Sequence, residues 1–113
     1  MATNVKDCIP VHPIHPGGIL KEELEARGYS QKEFAAKAGI MPSHLNEVIK
    51  GKRRINVEFA VKLEDSLGIP YDFWMRFQNQ YDYDVLRCAE RDARNALERY
   101  EREHGLKPQV VAV

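Results

Sequence analysis

Residues 30–50 read SQKEFAAKAGIMPSHLNEVIK, a pattern of two short helices joined by a tight turn. Ser30 lies three residues before Glu33, a spacing that is typical of a capping box at the start of a helix. Gly39 can adopt the left-handed backbone that a tight turn needs. Pro42 suits the first position of the helix that follows. The stretch therefore predicts a helix-turn-helix unit.

The flanking sequence also has apolar residues at helical spacing and only weak strand signals. A first helix is predicted over residues 17–27, and Asn56 is a suitable cap for a fourth. Pro70 opens a fifth helix whose aromatic residues suit a core. A longer helix is predicted over residues 82–104, where apolar residues recur three and four positions apart. The sequence therefore predicts an all-α fold.

The chain divides into three parts. Residues 1–15 are expected to form an extended arm, because the His-Pro pairs of VHPIHPGG, residues 11–18, disfavour a helix. Residues 16–81 are assigned to one helical domain, and residues 82–113 to a C-terminal helix and tail. At 113 residues the chain is long enough for one hydrophobic core, and no second independent domain is expected.

Charge and cysteine content narrow the class of protein. Basic and acidic residues number 17 each, but residues 31–54 contain six basic and only two acidic side chains, a local excess that suits an anionic partner. Cys8 and Cys88 are far apart and no signal peptide precedes them, which predicts a protein of the reducing cytoplasm. No apolar run approaches the roughly 20 residues of a membrane span, so no membrane partner is predicted.

The predicted outward face of the second helix of this unit is small and polar. Asn46 can pair with an adenine, while Ser43 and His44 can bond several base edges and Met41 can touch a thymine methyl group. Gln31, at the start of the preceding helix, suits a phosphate. The basic residues that follow suit the flanking DNA backbone. The residues predicted to contact DNA are Ser30, Gln31, Lys32, Met41, Ser43, His44, Asn46, Glu47, Lys50, Lys52, Arg53 and Arg54.

Other interpretations remain open from the residues alone. Two capped helices with a glycine turn also occur in helical bundles that bind no DNA. Glu47 either accepts a hydrogen bond from cytosine or is a solvated surface residue. A metal site could involve Cys8, His12 and His15 in the arm with a distant fourth ligand, but no metal-binding motif is present. No catalytic grouping and no cofactor motif is apparent either.

A third interpretation makes the chain an interaction module. Apolar residues recur along the predicted C-terminal helix with charges of both signs between them. Such a stripe packs on its own domain, on a second copy or on another protein. The predicted dimer or partner interface consists of Val85, Ala89, Ala93, Leu97 and Tyr100.

Several short motifs together resemble the HigA family of antitoxins, within the Xre and lambda-repressor-like class. They are His15-Pro16-Gly17, Ser30-Gln31-Lys32-Glu33, Gly51-Lys52-Arg53-Arg54, Phe73-Trp74, Gln78-Asn79 and Tyr81-Asp82. The resemblance covers about residues 15–82, well over half of the chain. Gly18, Met41 and Pro42 depart from the family pattern, which affects the expected operator sequence more than the fold.

The resemblance implies a five-helix DNA-binding domain and a homodimer on a palindromic operator that overlaps its own promoter. It implies a toxin partner of the HigB type, similar to the RelE-like mRNA interferases, and no catalysis by this chain. Gln31 would contact phosphate, and Ser43, His44, Asn46 and Glu47 would face the groove. The alternative is a solitary Xre-type transcriptional regulator without a toxin.

Overall fold

The computed structural model describes residues 12–105, which form five α-helices and no strand. The all-α prediction is confirmed, whereas most of the predicted arm, including Cys8, lies outside the described residues. The helices are α1 (Pro16–Ala26), α2 (Gln31–Ala38), α3 (Pro42–Ile49), α4 (Val57–Leu67) and α5 (Tyr71–Glu103). His12–Asp82 form one compact unit, and the described residues from Tyr83 to residue 105 belong to a second.

The core of the first unit is apolar and draws on all five helices. α3 packs against both α1 and α2, and α2 also packs against α4. Burial of this much apolar surface is the main favourable term in the folding of a small domain. The largest buried apolar side chains are Leu20, Phe34, Leu45, Val48, Ile55, Phe59, Leu63 and Trp74.

The helix ends follow the sequence signals closely. Ser30 Oγ accepts a hydrogen bond from Glu33 N at 3.1 Å, and Asn56 Oδ1 accepts one from Phe59 N at 2.8 Å. Gly39 ends α2 with a left-handed φ of 68°. Met41 precedes α3 without a side-chain cap bond, so Pro42 starts this helix on its backbone preference alone.

The predicted break between a fifth helix and a separate helix at residue 82 is wrong. α5 runs for 33 residues as one helix, from Tyr71 to Glu103. No glycine or proline occurs between residues 71 and 104, so nothing in this stretch ends the helix. The first backbone N–H group of α5 is satisfied by Glu64, whose carboxylate accepts a hydrogen bond from Tyr71 N at 3.2 Å.

Gly17 permits an unusually close approach of α1 to α3. A Cβ atom at this position would lie 1.8 Å from the Val48 carbonyl oxygen and 2.8 Å from its carbonyl carbon. Both are backbone atoms of α3, which cannot rotate away as a side chain would. Only a glycine therefore allows α1 and α3 to pack as they do.

His15 caps α1 and also holds the segment after α3. Its Nδ1 accepts a hydrogen bond from Gly17 N at 2.9 Å, so the ring proton resides on Nε2 and is donated to the backbone carbonyl of Arg53. The ring meets Tyr81 edge-on, with centroids 4.7 Å apart. Burial lowers the pKa of His15, against the opposing effects of the Arg53 bond and the Asp82 charge. Only the neutral imidazole makes both hydrogen bonds.

We expect Gly17→Ala to lower the free energy of unfolding by about 2 to 4 kcal/mol, because α1 must move away from the Val48 carbonyl. Gly18→Ala is the matched control, since nothing lies within 4 Å of its Cβ position. That control should raise the free energy of unfolding by about 0.5 to 1 kcal/mol through helix propensity. Urea denaturation of both variants measures the difference. Equal stabilities would refute the close approach.

We also expect the stability of the protein to decrease as the pH falls below about 6.5, the ordinary pKa of histidine. The folded chain holds His15 neutral and the unfolded chain does not, so the unfolded state binds more protons at low pH. The stabilisation is complete above the ordinary pKa and is lost as the pH falls through the lowered one. His15→Asn keeps a cap acceptor without this titration, so its urea midpoint should depend less on pH. An unchanged pH dependence in the variant would exclude His15 as its source.

Candidate nucleic-acid interface

The side chains predicted to contact DNA lie on α2, α3 and the segment that follows α3. Most of them are exposed, including Gln31, Ser43, Glu47 and the basic residues from Lys50 to Arg54. Met41 is 71% exposed, the largest value among the exposed apolar side chains of the described residues. Asn46 and His44 are half-buried. The α2–α3 unit therefore presents a mostly polar and basic surface.

Gln31 and Asn46 are in direct contact, although 15 residues separate them. Asn46 Nδ2 donates a hydrogen bond to Gln31 Oε1 at 3.1 Å. The contact joins the start of α2 to α3 and uses one amide hydrogen of Asn46. The Gln31 amide group and the Asn46 oxygen keep their own hydrogen-bonding capacity. The structure thus joins the side chain predicted to bind phosphate to the one predicted to recognise a base.

His44 packs toward α4 instead of standing free beside Ser43. Its ring lies 4.9 Å from the Phe59 ring, centroid to centroid, and its Nε2 is buried with no hydrogen-bond partner among residues 12–105. Burial lowers the pKa of His44, and the Arg53 charge lowers it further, while Glu47 opposes the shift. His44 is therefore mainly neutral near pH 7 and adds no full positive charge to this surface.

The two arginines after α3 are each paired with a carboxylate. Arg53 meets Glu47 at 3.3 Å, and Arg54 meets Asp82 of α5 at 2.7 Å. The sequence suggested that Glu47 either recognises a base or is solvated, and the structure adds an ion pair to these alternatives. Both pairs are exposed, so the arginines keep donors that face solvent.

Two residues of the site were not predicted from the sequence. Gln78 is only 1% exposed, and its Oε1 accepts a hydrogen bond from Ile55 N at 2.7 Å. Its Nε2 donates to Asp82 Oδ1 at 2.9 Å. The signal was available, since Trp74, Gln78 and Asp82 are spaced by four and so share one side of α5. Two polar residues on the same side of the helix as a core tryptophan indicate a hydrogen-bond network at the edge of the core.

The residues that the sequence suggested for a protein interface or a metal site lie outside the α2–α3 surface. The predicted interface residues Val85, Ala89, Ala93, Leu97 and Tyr100 are all exposed on α5. His15, which the metal interpretation used, has both ring nitrogens in hydrogen bonds. Residues 12–105 contain no cluster of histidine, cysteine and acidic side chains suited to a metal ion. None of the helices in this range has the length and apolar composition of a membrane span.

Comparison with known proteins supports the assignment of a helix-turn-helix domain. The family model HTH_3, described as Helix-turn-helix, matches residues 20–74. Virulence-associated protein I of Dichelobacter nodosus is 36% identical over 80 residues, which are 70% of this chain and 71% of that protein. An addiction module antidote protein of a HigA family from Coxiella burnetii has a TM-score of 0.65 at 27% identity, over 87% of this chain and 99% of that structure.

The Pseudomonas aeruginosa antitoxin HigA, solved with the higBA promoter, has a TM-score of 0.61 at 25% identity. The match covers 88% of this chain and 100% of that structure. The predicted resemblance to the HigA family is confirmed by these structural neighbours. The match over residues 20–74 includes α2, α3 and α4 completely. The chain belongs to the Xre-like helix-turn-helix family HTH_3, and its fold is shared with HigA-family antitoxins.

Proposed function

We propose that this chain is a sequence-specific DNA-binding antitoxin of a type II toxin–antitoxin pair that represses its own operon. The observation that carries the proposal is the surface of α2 and α3, where the joined Gln31 and Asn46 stand beside a basic segment. The P. aeruginosa antitoxin solved with its promoter supports it by similarity. The chain acts through binding alone, in the bacterial cytoplasm, without cofactor or metal.

In this proposal α3 enters the major groove. The side chains closest to the base edges are Ser43, Asn46 and Glu47, and Met41 lies beside a thymine methyl group.

The phosphate contacts come from two segments. At the start of α2, where the helix dipole favours an anion, they are made by Ser30, Gln31 and Lys32. Lys50, Lys52, Arg53 and Arg54 contact the flanking backbone. His44 remains part of the surface, but its ring packed on Phe59 chiefly holds α3 against α4.

A homodimer on a palindromic operator completes the proposal. Val85, Ala89, Ala93, Leu97 and Tyr100 are exposed on α5, and an exposed apolar stripe of this length favours a partner. We assign it to a second copy of the chain or to a HigB-like toxin of the RelE-like mRNA interferase class. A solitary Xre-type regulator, with the same DNA surface and no toxin, is the alternative that the next experiments separate.

We expect the protein to bind a duplex from its own promoter and to protect two half-sites about one helical turn apart. If a dimer contacts about six to ten phosphates, affinity should fall by about 10³- to 10⁵-fold between about 50 mM and about 200 mM salt. Asn46→Ala should cost about 1 to 3 kcal/mol at one base pair only. The control is Asn95→Ala, which replaces an exposed asparagine on α5 and should leave the affinity for every duplex unchanged. A DNA affinity that does not change with salt concentration would contradict the assigned phosphate contacts.

The toxin partner is tested separately in cells. We expect the small open reading frame beside this gene to arrest growth when expressed alone and to be harmless when this chain is co-expressed. The two proteins should then co-purify. A harmless neighbour that does not co-purify would leave DNA binding intact and favour the solitary regulator. Growth curves and affinity purification of the tagged chain provide the measurements.

A further inference from the structure

The segment between α3 and α4 carries the basic residues and is anchored to α5. Ile55 is fully buried in this segment, and its N–H is satisfied by Gln78 Oε1 at 2.7 Å. A buried backbone donor that lacks a hydrogen-bond partner is costly, so this hydrogen bond holds the segment firmly. Gln78 thus fixes the backbone immediately after Arg54.

Asp82 connects that anchor to the side chain of Arg54. One carboxylate oxygen accepts from Gln78 Nε2 at 2.9 Å, and the other accepts from the Arg54 guanidinium at 2.7 Å. The side chain of Arg54 is nevertheless 60% exposed. A guanidinium has five N–H donors, so one edge can bind a carboxylate while another stays available.

We propose that Asp82 is a positioning residue for DNA binding, which holds Arg54 with its free donors ready for a backbone phosphate. The inference rests on the proposed DNA-binding function and assigns a role to a residue outside the helix-turn-helix unit. An arginine that is already held in one geometry loses less rotamer freedom on binding. Asp82 therefore strengthens DNA binding although its charge is negative.

This role differs in sign from the ordinary effect of an acidic residue. A carboxylate near DNA repels phosphate, so removing its charge should strengthen binding. If Asp82 positions Arg54, removing its charge should weaken binding instead. Asp72 is the matched control, because it also forms an exposed ion pair with an arginine. Its partner is Arg76, at 3.3 Å, and both residues belong to α5.

The experiment compares Asp82→Asn with Asp72→Asn, which change the net charge equally. Asparagine at position 82 keeps an oxygen for the Gln78 hydrogen bond but loses the ion pair with Arg54. We expect Asp82→Asn to weaken binding about two- to fivefold, the range of an exposed ion pair. Because phosphate contacts carry no sequence information, the loss should be equal on the promoter duplex and on a duplex of shuffled sequence. Asp72→Asn should bind as tightly as the wild type, or slightly tighter.

A double-mutant cycle with Arg54→Ala separates positioning from a general structural effect. In the Arg54→Ala background, Asp82→Asn should cause no further loss, and the slope of log affinity against log salt should already be smaller by about 1. The positioning role is refuted if Asp82→Asn binds as Asp72→Asn does, or if its loss adds fully to that of Arg54→Ala. If the wild type itself shows no salt-dependent binding to either duplex, the proposed function fails, and the role of Asp82 fails with it.

Discussion

The contact of Gly17 with the Val48 carbonyl is the constraint on which the rest of the first unit depends. A single Cβ atom at residue 17 would overlap this backbone oxygen, so the α1–α3 spacing exists only because the side chain is absent. The same turn of chain carries His15, which caps α1 and donates to Arg53. The close approach therefore places the start of α1 against both α3 and the basic segment that follows it.

The basic segment is held from two directions by residues remote in sequence. His15 bonds the Arg53 carbonyl, and Gln78 bonds the Ile55 N–H only two residues later. Asp82 then engages the Arg54 side chain. A loop with its backbone bonded on both sides and its side chains paired has few alternative conformations. It can present its positive charges to a phosphate backbone with little ordering cost.

The surface of α2 and α3 combines this fixed segment with groups suited to base edges. Gln31 and Asn46 support each other by a hydrogen bond, and the half-buried His44 ring packs against Phe59. Structural neighbours of the HigA family share the fold across most of the chain. The shared fold and the local chemistry of this surface each support the proposed DNA binding, so the proposal does not depend on fold alone.

The sequence by itself determined the starts of α2 and α4, because a cap depends only on residues a few positions apart. Ser30 with Glu33 and Asn56 with Phe59 are such local pairs, and the helix-turn-helix was predictable from them. The break expected at residue 82 was wrong because a change in character along a helix does not end it without a breaker. Only the tertiary structure decided which distant side chains meet. Arg54 and Asp82 are 28 residues apart, and their contact depends on how α5 packs against the segment after α3, which no short-range pattern encodes.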